Sequence, residues 1–192
     1  MRTTDNHEVS QLNELKTDLG ALLFTSHYNL ATDTVMVEQM PIFGAVREDA
    51  LRLLLEPAHS VRVAAGSYFF REQDPAHSMF VLESGHVAVV KQWQGREMQL
   101  RLLGPGDCFG EMALLDLFPR SAAVRAVDDC VAIELASTDL LRVFEHDTEQ
   151  FALIQMNIGR EMCRRLRTTD EMLFEALMGD KLPTADTNFQ AI

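Results

Sequence analysis

No apolar run in this sequence approaches the roughly 20 residues that a bilayer-crossing helix needs. The N-terminus, MRTTDNHEVSQLNELK, also lacks the apolar stretch of a signal peptide, so the expected location is cytoplasmic. Cysteine is scarce: Cys108, Cys130 and Cys163 are scattered, with no C-x-x-C spacing. That excludes a disulfide framework and a structural zinc site, and it fits a reducing compartment. Basic residues are also few. Seventeen Lys and Arg against 29 Asp and Glu give a formal net charge of −12, which opposes non-specific binding to nucleic acid or an anionic membrane. The six histidines, His59, His77 and His86 among them, show no metal-ligand spacing. A P-loop and a nucleophile motif are absent too, so the chain is expected to be no enzyme and to need no metal or cofactor.

The pattern of what remains changes along the chain. From Asp5 to about Phe24, Val9, Leu12, Leu15, Leu19, Leu22 and Leu23 recur at helical spacing behind a capping box of Asp5 and Glu8. A polar connection follows, and MPIFGAVREDALRLLLEP then predicts a short turn and a helix ending before Pro57. Between about Val61 and Leu135 the apolar runs become short and alternating, separated by REQDPAHS, Gly85, QGRE, GPGD and VDD. Strands so punctuated predict an antiparallel β-sandwich or roll, with a hairpin at Gln94-Gly95 and a tight turn at Pro105-Gly106. Helical spacing returns at STDLL, where Ser137 or Thr138 is the expected cap of a short helix through about His146. A longer helix is predicted from about Glu149 to about Met178. Along it Met162, Leu166, Thr169, Leu173 and Ala176 form a 4-3-4-3 seam, which suits either a dimer contact or cover for the chain's own β-roll.

One stretch of the β region carries chemistry: FGEMALLDLFPRSAAVRA, from Phe109. Gly110 opens close backbone approach, and the short helix behind it presents outward N–H groups that suit an anion. Glu111 would repel a phosphate, so it is expected to face hydroxyls at the other end of the ligand. Phe118-Pro119 ends the turn and feeds a strand starting at Arg120, whose guanidinium matches phosphate oxygens bidentately. Ser121 adds a hydroxyl, and Ala122 with Ala123 keeps the floor low. A phosphate site, a carboxylate for a ribose and a helix start together describe a nucleoside monophosphate.

FGEMALLDLFPRSAA resembles the phosphate-binding cassette of cyclic nucleotide-binding domains, the family of the catabolite activator protein and of protein kinase A regulatory subunits. The resemblance runs from about Pro41 to Met178 and includes GHVAVV, GPGDCFGE and the two trailing helices. It implies a jelly-roll-like antiparallel β-roll with flanking helices and a long C-terminal dimerisation helix. It implies that Glu111 holds the ribose 2′-OH. Arg120 and Ser121 hold the phosphate, with amides of Gly110, Met112 and Ala113 beside Ala122. Val89, Leu100 and Met112 line the base, and Arg165 lies near the phosphate. Thr169-Asp170 stands where the activator protein has a Thr-Ser pair on the adenine amino group, the second residue coming from the partner subunit. Asp170 accepts hydrogen bonds only, which leaves adenine and guanine both open. Ser121 tilts the ligand toward cyclic AMP, with cyclic GMP as the alternative.

Four parts are expected: an N-terminal helix and linker (1–40), the binding roll (41–147), the long helix (148–178) and a polar tail (179–192). The 14 residues after Met178 are too few for a helix-turn-helix, so direct DNA binding is not expected. The RRLR run on the long helix reads as a solvated face. The function these features imply is a cyclic nucleotide sensor, a homodimer through its long helix, relaying binding to a protein partner. The alternatives are a regulatory subunit of an enzyme held in trans, and a ligand-independent dimerisation or scaffold module with a vestigial pocket.

Overall fold

The computed structural model describes residues 40–178 together with Ser26 and His27. The expected N-terminal helix and the C-terminal tail lie outside the described residues. Among the described residues, nine strands form two antiparallel sheets: β1 (Ser26–His27), β2 (His59–Val63), β3 (Tyr68–Phe70), β4 (Ser78–Ser84), β5 (Val87–Trp93), β6 (Arg96–Leu103), β7 (Cys108–Phe109), β8 (Ala123–Ala126) and β9 (Cys130–Ala136). Their orders are β1-β2-β9-β4-β7 and β3-β8-β5-β6. This is the antiparallel β-roll that the short alternating runs imply. The helices are α1 (Glu48–Leu55), α2 (Met112–Asp116), α3 (Ser137–His146) and α4 (Thr148–Met178), preceded by a 3-10 turn at Pro41–Phe43.

The sheets are held by two cores on opposite faces of β4. Met79 and Val81 join Leu51, Leu54, Ile133, Leu135, Ile154 and Ile158 under the helices, whereas Phe80 and Leu82 join Val61, Val87, Phe109 and Val124 inside the roll. Both faces are thus covered, so β4 reads as a continuous apolar run rather than an alternating one. Inside the roll, Phe69 and Phe80 approach Phe109 at centroid distances of 4.9 and 5.3 Å, and Phe70 lies 6.1 Å away. That aromatic cluster forms one wall of the space below α2.

The hairpin at Gln94-Gly95 forms as expected, with φ of 50° and 76° at its two central residues. Positive φ at both positions is what a two-residue turn needs to match strand twist. Two other expectations are corrected. Neither Ser137 nor Thr138 caps α3; instead Asp139 Oδ2 accepts from the Ala136 N–H at 2.8 Å, reaching back from the first turn. The strand after the cassette begins at Ala123, not Arg120. The Arg120 backbone is engaged elsewhere: its N–H donates to Asp74 O at 3.0 Å and its carbonyl accepts from Gln73 N at 2.8 Å. The chain then bends through Ser121 and Ala122 before it joins β5.

The long helix forms as one uninterrupted element of 31 residues, Thr148–Met178. Polar side chains fix its first half to the roll. Asn157 Nδ2 donates to Ile42 O (3.2 Å) and Gly44 O (2.9 Å), and Gln150 Oε1 accepts from the Arg47 N–H at 2.7 Å, at the start of α1. Beyond Arg165 it leaves the roll, with Leu166, Leu173, Phe174 and Leu177 all exposed.

Candidate functional site

Gly110 sits at the end of β7 with φ +79°. A Cβ there would lie 2.5 Å from Arg120 Nη1 and 3.3 Å from Phe70, so only glycine leaves room for what packs against it. What packs there is the Arg120 guanidinium. Its Nη1 donates to Gly110 O at 2.9 Å, its Nη2 approaches Ser78 Oγ at 3.4 Å, and Cζ lies 4.0 Å from the centroid of Phe70. The residue is 4% exposed, its Nε has no hydrogen-bond partner, and no carboxylate among the described residues forms an ion pair with it. Burial pulls this guanidinium below its ordinary pKa, against the pull of Glu134, Asp74 and Glu111. A buried cation without an ion-pair partner is costly, and an anion placed beside it relieves that cost.

Glu111, 5% exposed, lies across from Arg120 but pairs elsewhere. Its Oε1 is 3.1 Å from Arg165 Nη1, on α4. Arg165 also donates to Cys108 O at 2.7 Å and to Glu161 Oε1 at 2.8 Å, while its own carbonyl accepts from Arg101 Nη2 at 3.1 Å. Arg165, expected near a ligand phosphate, therefore stands beside Glu111, Glu161 and the Cys108 carbonyl. The reason is local electrostatics: Glu111 and Glu161 together attract it, whereas Arg120 would repel it. Burial raises the Glu111 pKa above the ordinary carboxylate value even with Arg165 alongside. A carboxyl group whose folded value exceeds its unfolded one favours folding at low pH and loses that contribution as pH rises through the folded value. The stability difference between Glu111→Gln and the parent chain should therefore move in favour of Gln as pH rises from 5 to 7. Paired denaturant titrations at the two pH values measure it.

The remaining expected residues divide into two groups. Ala113, Ala122 and Ala123 are buried, Ala123 packing with Ala88 and Val90, and Ser121 Oγ approaches Met112 Sδ at 3.7 Å. Val89 faces the roll, opposite Val124 on β8. Leu100 is 50% exposed and sits at an irregularity in β6, where Val90 pairs with Gln99 but Val89 pairs with Arg101. The structure does not bring Thr169 and Asp170 to this group within one chain. Both are exposed one turn beyond Arg165, and the Thr169 hydroxyl donates to the Arg165 carbonyl at 2.9 Å. Two cations near the site escaped the sequence reading. Arg101 faces Val89 across the ladder, and Lys91 follows Val89 at the same parity along β5. Strand parity was the signal that would have found Lys91.

Comparison with known proteins agrees with this geometry. Residues 60–147 match the cyclic nucleotide-binding domain family. The chain is 32% identical over 135 residues to the Cyclic AMP receptor protein of Thermus thermophilus, covering 68% of this chain and 59% of that protein. The crystal structure of the Thermus thermophilus Catabolite Activator Protein superposes with a TM-score of 0.60 at 31% identity, covering 69% of this chain and 61% of the other. The chain thus spans less than two thirds of the length of these relatives. A separate likeness covers the other end. Residues 1–52 match the monomethylamine methyltransferase MtmB family, and a 44-residue stretch is 64% identical to the Methanosarcina acetivorans enzyme, spanning 23% of this chain and 10% of that protein. The match of residues 60–147, with the roll and the cassette around Gly110 and Arg120 that they contain, places this part of the chain in the cyclic nucleotide-binding domain family.

Proposed function

We propose that the chain is a cyclic nucleotide sensor in which Arg120 and Ser121 hold the phosphate, Glu111 accepts from the ribose 2′-OH, and Val89, Leu100 and Met112 flank the base. The observation that carries this reading is Arg120: a buried guanidinium with no ion-pair partner among the described residues, bonded to Gly110 O beside a carboxylate that is engaged elsewhere. The Glu111–Arg165 contact supports a relay. Any rearrangement at Glu111 that a ribose imposes acts directly on α4, so ligand binding biases where the helix lies. Exposed Leu166 and Leu173, with the seam they belong to, support a second copy along α4.

Cyclic AMP is the ligand assigned, from Ser121 in the cassette. Arg101 favours a second reading. A guanidinium offers only donors, which match the O6 and N7 acceptors of guanine but not the mixed edge of adenine. Calorimetric titration of Arg101→Ser decides between them. A site for cyclic AMP keeps its affinity within about twofold, whereas a site for cyclic GMP loses about tenfold, the scale of one paired base contact.

The likeness of residues 1–52 to a methylamine methyltransferase supports an effector of that enzyme class, addressed through the shared stretch. Retention of the methyltransferase on the immobilised full chain, changed by added nucleotide, tests that part. No retention with or without nucleotide removes it.

A further inference from the structure

The phosphate end of the site has a cation besides Arg120. The register that sets Val89 against Val124 and Val90 against Ala123 carries Lys91 to Ala122. Val87 and Val89, at the same parity as Lys91, point into the roll with Val124. The Lys91 side chain follows this geometry. Its Nζ donates to Ser121 O at 3.2 Å and lies 3.3 Å from Glu72 Oε1. It therefore ends beside the residue that follows Arg120 and is 51% exposed, whereas Glu72 is 23% exposed.

Resting on the reading of this site as a cyclic nucleotide site, we propose that Lys91 is a second phosphate-positioning cation, held in reserve by Glu72. The two cations divide the task by their surroundings. Arg120 is buried and locked by Gly110 O and Phe70, so its orientation is set before any anion arrives. Lys91 is a flexible point charge at the rim, and turning from Glu72 to a phosphate exchanges one anionic partner for another. Such a group raises the local potential at the mouth of the site on a chain whose net charge of −12 repels the ligand. Among the described residues its charged partner is Glu72, which holds it back.

Titration calorimetry of the full chain with cyclic AMP and with cyclic GMP, at two salt concentrations, tests this. Lys91→Gln should weaken binding of the preferred nucleotide about fivefold and reduce its salt dependence, as for loss of one exposed charge-assisted contact. Glu72→Gln should act in the opposite direction and tighten binding about threefold, because it frees Lys91. A merely structural role for the Lys91–Glu72 pair would make both variants weaken binding or leave it unchanged, and either outcome overturns the proposal. The Arg120→Ala variant separates this failure from a failure of the site itself. If Arg120→Ala loses binding while Lys91→Gln keeps it, the nucleotide site stands and Lys91 is outside it. If the parent chain binds neither nucleotide, both readings fall.

Discussion

Replacing Arg120 by Ala should reduce cyclic nucleotide affinity by at least about 100-fold, since on the proposed reading it removes a bidentate, charge-assisted contact to phosphate from a desolvated site. The fold should survive the change. Arg120 makes no ion pair among the described residues, so its removal leaves no buried carboxylate unpaired. What is lost is the bond to Gly110 O and the stack on Phe70, a contact worth about 1–2 kcal/mol when desolvated. Arg120→Lys should resemble Ala in affinity more than the parent, although it keeps the charge. A lysine cannot present the planar fork, and its compact ammonium would sit on Phe70 without reaching both phosphate oxygens. Calorimetry for binding and a thermal melt for folding, on the same preparations, check both halves.

The second large effect concerns the wall behind that arginine. Phe109 is 1% exposed and lies against Phe69, Phe70 and Phe80. Phe109→Ala should destabilise the chain by about 3–5 kcal/mol, the range for emptying a well-packed aromatic site. Affinity should fall with it, because Phe70 carries the Arg120 guanidinium and would lose part of its own support. A denaturant titration gives the first quantity. A loss below about 1 kcal/mol would mean that the roll does not close around these four rings.

The roll and the cassette were legible in the sequence because their signals are local. Gln94-Gly95 names a turn, and short runs of period two name strands. Gly110, Glu111 and Arg120 fall within one short stretch whose residue types suit opposite ends of a ligand. What could not be read depended on contacts distant in sequence. Arg165 meets Glu111 from 54 positions away, and nothing in RRLR distinguishes it from its neighbours Arg164 and Arg167. The cap expected at Ser137 or Thr138 is replaced by Asp139, which reaches back to the Ala136 N–H. The expected strand at Arg120 failed because segment 71–74 claims that backbone, a pairing no local pattern announces. Lys91 follows an apolar run, and its reach to the Ser121 carbonyl and to Glu72 depends on contacts distant in sequence. At the N-terminus, leucine periodicity predicts a helix that lies outside the described residues, and it carries no sign of the likeness to a methyltransferase.

Base choice rests on parts that meet only in an assembly or across a strand. Thr169 and Asp170 stand exposed beyond the roll in one chain, so their expected role requires a second copy. Arg101 needs no second copy, since it already faces Val89 and touches the Arg165 carbonyl. The two therefore respond differently to dilution. Discrimination set by Arg101 persists in a monomer, whereas discrimination set by Asp170 of a second copy disappears with the dimer.

The central claim is that the space between Gly110, Glu111 and Arg120 takes a cyclic nucleotide, and calorimetric titration of the full folded chain tests it most directly. Cyclic AMP or cyclic GMP should bind at one site per chain, with binding lost in Arg120→Ala. The absence of heat with either nucleotide, at two temperatures and with a cooperative thermal melt proving the chain folded, would contradict the account.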